Sequence, residues 1–288
     1  MVPRMSDRSL SPPRLTDRKA LLLHRARVAA MVSPALFLHE EAVAEAQERL
    51  ESVNRTFTRV AIITPFPDLW QSAFPQAKVI TDGDVLDLVQ GDHDAVIHAM
   101  ALHWADDPVG QMVQAHRALR PDGLFLGLLP GGQTLNELRT VLAEAEAEVM
   151  GGLSPRILPM GEIRAMGSLL QRAEFALPVA DNFTRNVAYR DLFHLMADLR
   201  AMGETNAMAS RLRRAVPRRL FLRAAEIYAD AFPAEGGRIR ATFEIICLTG
   251  WAPHESQQQP LRPGSATHRL ADALNAVEHP LPREPGND

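Results

Sequence analysis

Few side chains in this sequence combine a reactive type with a suggestive spacing. Two carboxylates, Asp82 and Asp84, bracket Gly83 just after the short apolar run Ala77–Thr81. Read alone, they are either contacts for a bound molecule or a solvated turn. His98 and His103 follow. A histidine titrates near neutrality and can serve as a general base where it faces a substrate. The alternative has His98 capping a strand end and His103 packing beside Trp104. His93, Asp94 and His98 have no recognised metal-ligand spacing, and non-haem iron asks for two histidines and a carboxylate with open positions, so no metal site is expected. Gly131-Gly132 precedes a helix and could receive an anion at its N-terminus, although a tight strand-to-helix turn explains it equally. Met196, Met202 and Met208 surround Gly203-Glu204-Thr205-Asn206 and read either as a substrate lid or as core filling. The one cysteine, Cys247, lies in the apolar run Phe243–Leu248 and reads as a small buried hydrophobe. It leaves no disulfide to form within the chain, which fits a reducing compartment.

Alternating short apolar runs and amphipathic stretches must position these groups. Helical spacing covers about 17–32 and 34–52, the latter with Leu36, Val43, Ala46 and Leu50 on one face. Arg59–Thr64, Ala77–Thr81 and Asp94–Ala99 are short runs rich in β-branched residues and read as buried strands. Asp107 can cap a helix with Pro108 at its first position, and that helix stops before Pro121-Asp122-Gly123. Leu124–Leu129 is then a buried strand. Thr134-Leu135-Asn136-Glu137 has the form of a capping box, opening a helix to about Val149. Further helices are expected over 161–173, 190–202 and 219–232, with strands within 175–187 and over 240–251. Strands alternating with helices imply a mostly parallel sheet covered on both faces, with the late strands as an antiparallel edge. Ligands of such sheets bind outside the carboxyl ends of the strands.

The chain has 288 residues, enough for one α/β domain. Its net charge of -4 argues against a dedicated nucleic-acid binder. Basic residues cluster at Arg18–Arg27 and Arg211–Arg219 and read as solvated helix faces or turns. No apolar run is long enough to span a membrane. The Arg-rich start runs on into the first helical pattern without a cleavage signal, so it is not read as a transit peptide.

The run TDGDVLDLVQGDHDAVIHAMALHWADDP (81–108) resembles a segment of class I S-adenosylmethionine (SAM) methyltransferases, nearest to the malonyl-acyl-carrier-protein methyltransferases of biotin synthesis. LRPDGLFLGLLPGGQTLNELR, GGLSPRILPMGE, LMADLRAMGETNA and ATFEIICLTGWAPHESQQQPLRPGSA resemble more narrowly the complex I assembly factor 5 family of mitochondria and alphaproteobacteria. The likeness runs from about Leu15 to Leu274. It implies an α/β, Rossmann-like methyltransferase fold of seven strands, with SAM as cofactor across the strand ends. It further implies that Asp82, or Asp84 in its place, meets the adenine amine. His98, Ala99 and Met100 would line the methionine side, with Leu102-His103-Trp104 following. With Thr64 after the first strand, the cofactor-contact candidates are Thr64, Asp82, Asp84, His98, Ala99, His103 and Trp104. No catalytic base is assigned.

The same resemblance sets the expected organisation: a flexible start (1–15), N-terminal helices (16–55), the methyltransferase-like domain (56–252) and a tail (253–288). Methyl transfer to an unidentified acceptor is the expected function. The alternatives are a non-catalytic complex I assembly factor and an arginine-hydroxylase type of assembly factor, since mitochondrial relatives are linked to hydroxylation of an arginine in a complex I subunit. Expected partners are a complex I subunit or an acyl-carrier protein. The expected location is cytoplasmic in a bacterium, peripheral to the inner membrane, or mitochondrial in a eukaryote. One departure stands out. The family carries a D-x-G-x-G-x-G turn after the first strand, where glycines admit the cofactor closely. Here the turn is Thr64-Pro65-Phe66-Pro67, with no glycine from Asn54 to Thr81. The second strand and its ribose-gripping acid are expected to be missing, and loss of that contact alone costs about 1.5–3 kcal/mol.

Overall fold

The computed structural model describes residues 14–258; the expectations for 1–13 and 259–288 lie outside them. Two units divide the chain, the first ending at Pro253 and the second being His254–Asp288. In the described part of the second, Ser256 and Gln257 bond back to His254.

Two helices, α1 (Arg18–Ala29) and α2 (Phe37–Ser52), precede the sheet. Then come β1 (Val60–Ile63), α3 (Pro67–Ala73), β2 (Lys78–Ile80), β3 (His93–Ala99), a 3-10 turn at Leu102–Trp104, α4 (Pro108–Ala118) and β4 (Leu119–Pro130). The chain continues through α5 (Asn136–Met150), α6 (Ile163–Arg172), β5 (Ala176–Tyr189), α7 (Leu192–Ala201), α8 (Arg218–Ala231), the two-residue β6 (Pro233–Ala234) and β7 (Arg238–Trp251). Strand order is β2-β1-β3-β4-β7-β5, with β6 on β7. β2, β1, β3 and β4 run parallel, whereas β7 is antiparallel to β4 and to β5. This is the expected mostly parallel Rossmann-like sheet with an antiparallel edge.

Strand alternation splits the core into two layers. Ile62, Ile97, Leu126, Leu128, Ile245 and Cys247 face α2, α3, α5, α7 and α8. Ala61, Ile63, Val96, Phe125, Ile246 and Leu248 face α4 and α6. Cys247 is fully buried, as its apolar context indicates, and burial raises its thiol pKa to about 12.

Local signals hold where no strand competes for them. Asp107 caps α4, accepting the Gly110 N–H at 2.8 Å with Pro108 at the first turn. The capping box does not form. Leu135 precedes α5 in the left-handed region with no side-chain cap. The Thr134 hydroxyl donates to the Glu244 carbonyl, and the Glu137 carboxylate accepts from the Thr242 N–H and hydroxyl. The neighbouring β7 offers both side chains better partners than the helix start does.

The sheet edge is one strand short, as expected. A doubly wound sheet of order 3-2-1-4-5-6 carries two strands outboard of β1; among the described residues β2 alone lies there, paired directly with β1, Ile62 opposite Val79. From β2 the chain returns to β3 through 81–92 without a helix, anchored by buried Leu86, whose N–H donates to Gln114.

Candidate functional site

The carboxyl ends of β1, β2 and β3 carry the sequence-selected residues, and the structure gathers some of them and scatters others. Asp82, in the loop after β2, is 8 % exposed. Its two carboxylate oxygens are each taken by an arginine of α1, Oδ2 by Arg18 at 2.8 Å and Oδ1 by Arg25 at 2.5 Å. Arg18 also donates to the Asp82 carbonyl. Burial works against the Asp82 charge, but Arg25 and Arg18 outweigh it and hold the carboxyl below its ordinary range. The basic run 18–27 is therefore only partly a solvated face: Lys19 and Arg27 are exposed, but Arg25 is 8 % exposed while Leu22 and Leu23 stand about half exposed. In the second basic run, Arg211 and Arg213 bond Asp17, the N-cap of α1.

Other contacts staple α1 in this position. Leu15 and Thr16 donate through their N–H groups to Asp106 at 2.9 Å. The Thr16 hydroxyl donates to the Trp104 carbonyl, and His24 pairs with Thr205 at 2.8 Å. Ala20 and Leu21 pack with Trp104, Leu158 and Met208.

His98 is fully buried at the end of β3, 2.6 Å from Gln111 Oε1. Because Gln111 Nε2 donates to the Gly83 carbonyl, Oε1 is its accepting atom, and His98 must carry its proton on Nε2. Nδ1 is buried without a hydrogen-bond partner. Burial holds the ring's pKa below its ordinary value, so it is neutral. Ala99 points to the opposite layer and belongs to the core. His103 and Trp104 do converge, both on Glu204: Trp104 Nε1 donates to Oε2 at 2.8 Å, and His103 Nε2 lies 3.2 Å from the same atom. Burial would raise the Glu204 pKa, but His103, Arg25 and Trp104 bring it to about 2. Asp84 is exposed and contributes only its carbonyl, to Gln114. His93 and Asp94 sit at the start of β3, the far end from His98. Among the described residues, no three His, Cys, Asp or Glu side chains converge as a metal set.

The turn after β1 is closed. The Thr64 N–H donates to the Ile80 carbonyl at 3.0 Å and the Phe66 N–H to the Thr64 hydroxyl at 3.3 Å. Pro65 and Pro67 have no N–H. Behind the turn Trp70 is fully buried, its Nε1 directed at His39 Nδ1 at 3.4 Å, and the Phe66 ring meets His39 edge-on at 4.8 Å. Burial drives His39 to a pKa of about 3. His39, Trp70, Arg25 and Gln111 were not singled out from sequence, and Glu204 only as part of the segment 203–206. Their only signal was residue type, and their partners lie far away along the chain.

Beside this cluster is a cavity of about 260 Å3. Leu138 and Leu142 of α5, Phe243 of β7 and Met196 and Leu199 of α7 line it, with Ile157 and Leu158 from the loop 151–162. Trp104 and Glu204 face it from the cluster. The loop is held by Glu146 of α5, which accepts from both Arg156 and Ser154, the Arg156 contacts measuring 2.9 and 2.6 Å. Of the methionines 196, 202 and 208, the first two line this cavity and Met208 packs with Trp104 against α1.

Residues 38–127 match the family model described as a methyltransferase domain. The arginine-hydroxylase NDUFAF5 of Danio rerio is 37% identical over 222 residues, which cover 77% of this chain and 69% of that protein. The protein of the same name from Homo sapiens is 38% identical over 212 residues, 74% of this chain and 61% of its own length. The malonyl-[acyl-carrier protein] O-methyltransferase of Laribacter hongkongensis is 31% identical over 188 residues, covering 65% of this chain and 61% of that protein. The sheet, its order and these likenesses agree, and the chain is a methyltransferase-like protein that belongs to the NDUFAF5 family.

Proposed function

We propose that this chain is a complex I assembly factor of methyltransferase fold that works by binding and not by turnover of SAM. The observation that carries this reading is the occupation of Asp82 by Arg18 and Arg25. Each Asp82 oxygen is already paired with an arginine of α1 and the side chain is buried beneath that helix, so a cofactor's amine or hydroxyls reach it only by displacing α1. The turn after β1 supports the same reading, because its N–H donors are spent or absent. Trp70 and His39 fill the space behind it. SAM therefore does not fit the residues present, and no methyl-transfer step is derived from them. Thr64, Asp82, His98, His103 and Trp104 act instead as the frame that fixes α1 and the wall of the adjoining cavity.

That cavity, with its apolar walls, is the part of the molecule open to a partner or ligand. The assembly role rests on the family: its NDUFAF5 members are named arginine-hydroxylases, and complex I assembly is what the sequence resemblance implies. The test is genetic. Removing the gene should lower the amount of assembled complex I, read as NADH-dehydrogenase staining in native gels, and the wild-type chain should restore it. Undiminished complex I in the deletion strain overturns the assembly role. Transfer of label from methyl-labelled SAM to any acceptor by the purified chain overturns the SAM-independent one.

A further inference from the structure

We infer that the cavity between α5, α7 and the loop 151–162 is a binding site for a linear apolar chain with an anionic head, the fatty-acyl class, with Arg200 receiving the head. The inference rests on the reading that this end of the molecule, and not the strand ends beside Asp82, is the one that binds.

Three features support it. The cavity holds about 260 Å3, just under the ~300–1,000 Å3 of typical small-molecule sites. Its walls are mainly apolar, aliphatic residues with Trp104, Phe221 and Phe243 and the methionines 160, 196 and 202, and unbranched thioethers adapt to a flexible apolar occupant. The charges at its rim are unequal in availability. Arg156 is matched by Glu146. Glu204 lies close enough to Arg25 to be stabilised by it, so Arg18, Arg25, Asp82 and Glu204 form a group with two charges of each sign. Arg200, exposed at the end of α7, lines the cavity and has no ion-pair or hydrogen-bond partner for its guanidinium among the described residues. An apolar slot whose one uncommitted charge is a cation selects an anionic amphiphile.

The loop 151–162 gives such a ligand a wall that can be set in place after entry. It begins at Gly151, left-handed at φ 71°, and is fastened by Glu146 through Ser154 and Arg156 and by Asn206 to the Pro155 carbonyl. Arg156 and Asn206 also line the cavity, so these polar fastenings form part of its rim.

The experiment is calorimetric titration of the full chain with decanoate, with decanol and with SAM in separate runs. It is repeated on Arg200→Ala and Met196→Trp. Decanoate is expected to bind the wild type more tightly than decanol does. Arg200→Ala, at an exposed position that leaves folding intact, should weaken decanoate about tenfold, the size of one charge-assisted contact, and leave decanol unchanged. Met196→Trp, at a partly buried lining position, should abolish both. Absence of decanoate binding overturns the inference. So does equal binding of decanoate and decanol, or a decanoate affinity indifferent to Arg200→Ala. If Met196→Trp fails to fold, the Arg200→Ala pair of titrations still decides. The SAM run separates the two readings: SAM binding defeats the proposed function while leaving the cavity to be judged on decanoate, and decanoate failing alone defeats only the cavity.

Discussion

The two halves of the strand-end surface have been treated differently by this sequence. At β1 and β2, polar side chains are matched inside the chain and the free volume is filled. Asp82 meets two arginines, His98 meets Gln111, and Trp70 and His39 occupy the space behind the turn. At β4 and β7 the surface retains an apolar cavity whose covering loop is held by buried Glu146 and by Asn206. A fold that carries a cofactor-type end and an acceptor-type end can close one and keep the other. The closed end is rigid because its charges have nowhere else to go, since a buried charge deprived of its partner is costly.

The comparison is broken most severely at Asp82. Asp82→Ala removes the ion-pair partner of buried Arg25 and leaves two arginines facing Glu204 alone, and a loss of about 3–5 kcal/mol is expected in chemical denaturation. At the open end, Glu146→Ala frees Arg156 and Ser154 with less burial at stake. It should cost about 2–3 kcal/mol, and limited proteolysis should cut the loop 151–162 faster while leaving α1 protected.

Acid should separate the ends more finely. His39 is pulled by burial to about 3 and His98 is also held below its ordinary 6.5. Between pH 6.5 and those folded values the unfolded chain binds the extra protons, so stability falls as pH falls, by about 1 kcal/mol for His39 on reaching pH 5.5. Asp82 and Glu204 have lowered pKa values, so the stability they contribute is present above their ordinary carboxylate values and is lost as pH falls below them, for Glu204 from 4.5 down towards about 2. Relative to intrinsic exchange rates, the protection of α1 amides should therefore fall as pH drops below the ordinary carboxylate range before that of α5 does. Equal loss of protection in both would remove the distinction. The smallest effect is expected from Arg18→Ala. Arg18 is partly solvated at 23% side-chain exposure, Arg25 remains, and the cost should be under about 1 kcal/mol.

Much of this was legible in the sequence. The β-branched runs of β1 and β3, the Asp107-Pro108 start of α4, the long strand β7 and the burial of Cys247 all follow from local chemistry. The family could be read from the motifs around 81–108 and 240–265. The closed end could not, because its logic reverses the local pattern. In α1 the apolar pair Leu22-Leu23 points out and Arg25 points in. Only Asp82, 57 residues further along, explains that orientation. The Thr134–Glu137 box failed for a related reason, since β7 arrives from over a hundred residues away to claim both side chains. The turn Thr64–Pro67 was recognised as hostile to the cofactor, but the residues that fill the space behind it, Trp70 and His39, were not. The expectation of a missing strand matches the single strand found outboard of β1.

The most direct test of the central claim is calorimetric titration of the wild-type chain with SAM and with S-adenosylhomocysteine. No heat and no thermal shift at millimolar ligand is the expected result. A micromolar Kd, on the order of -8 kcal/mol, would mean that α1 leaves Asp82 in favour of the cofactor and would contradict the closed end.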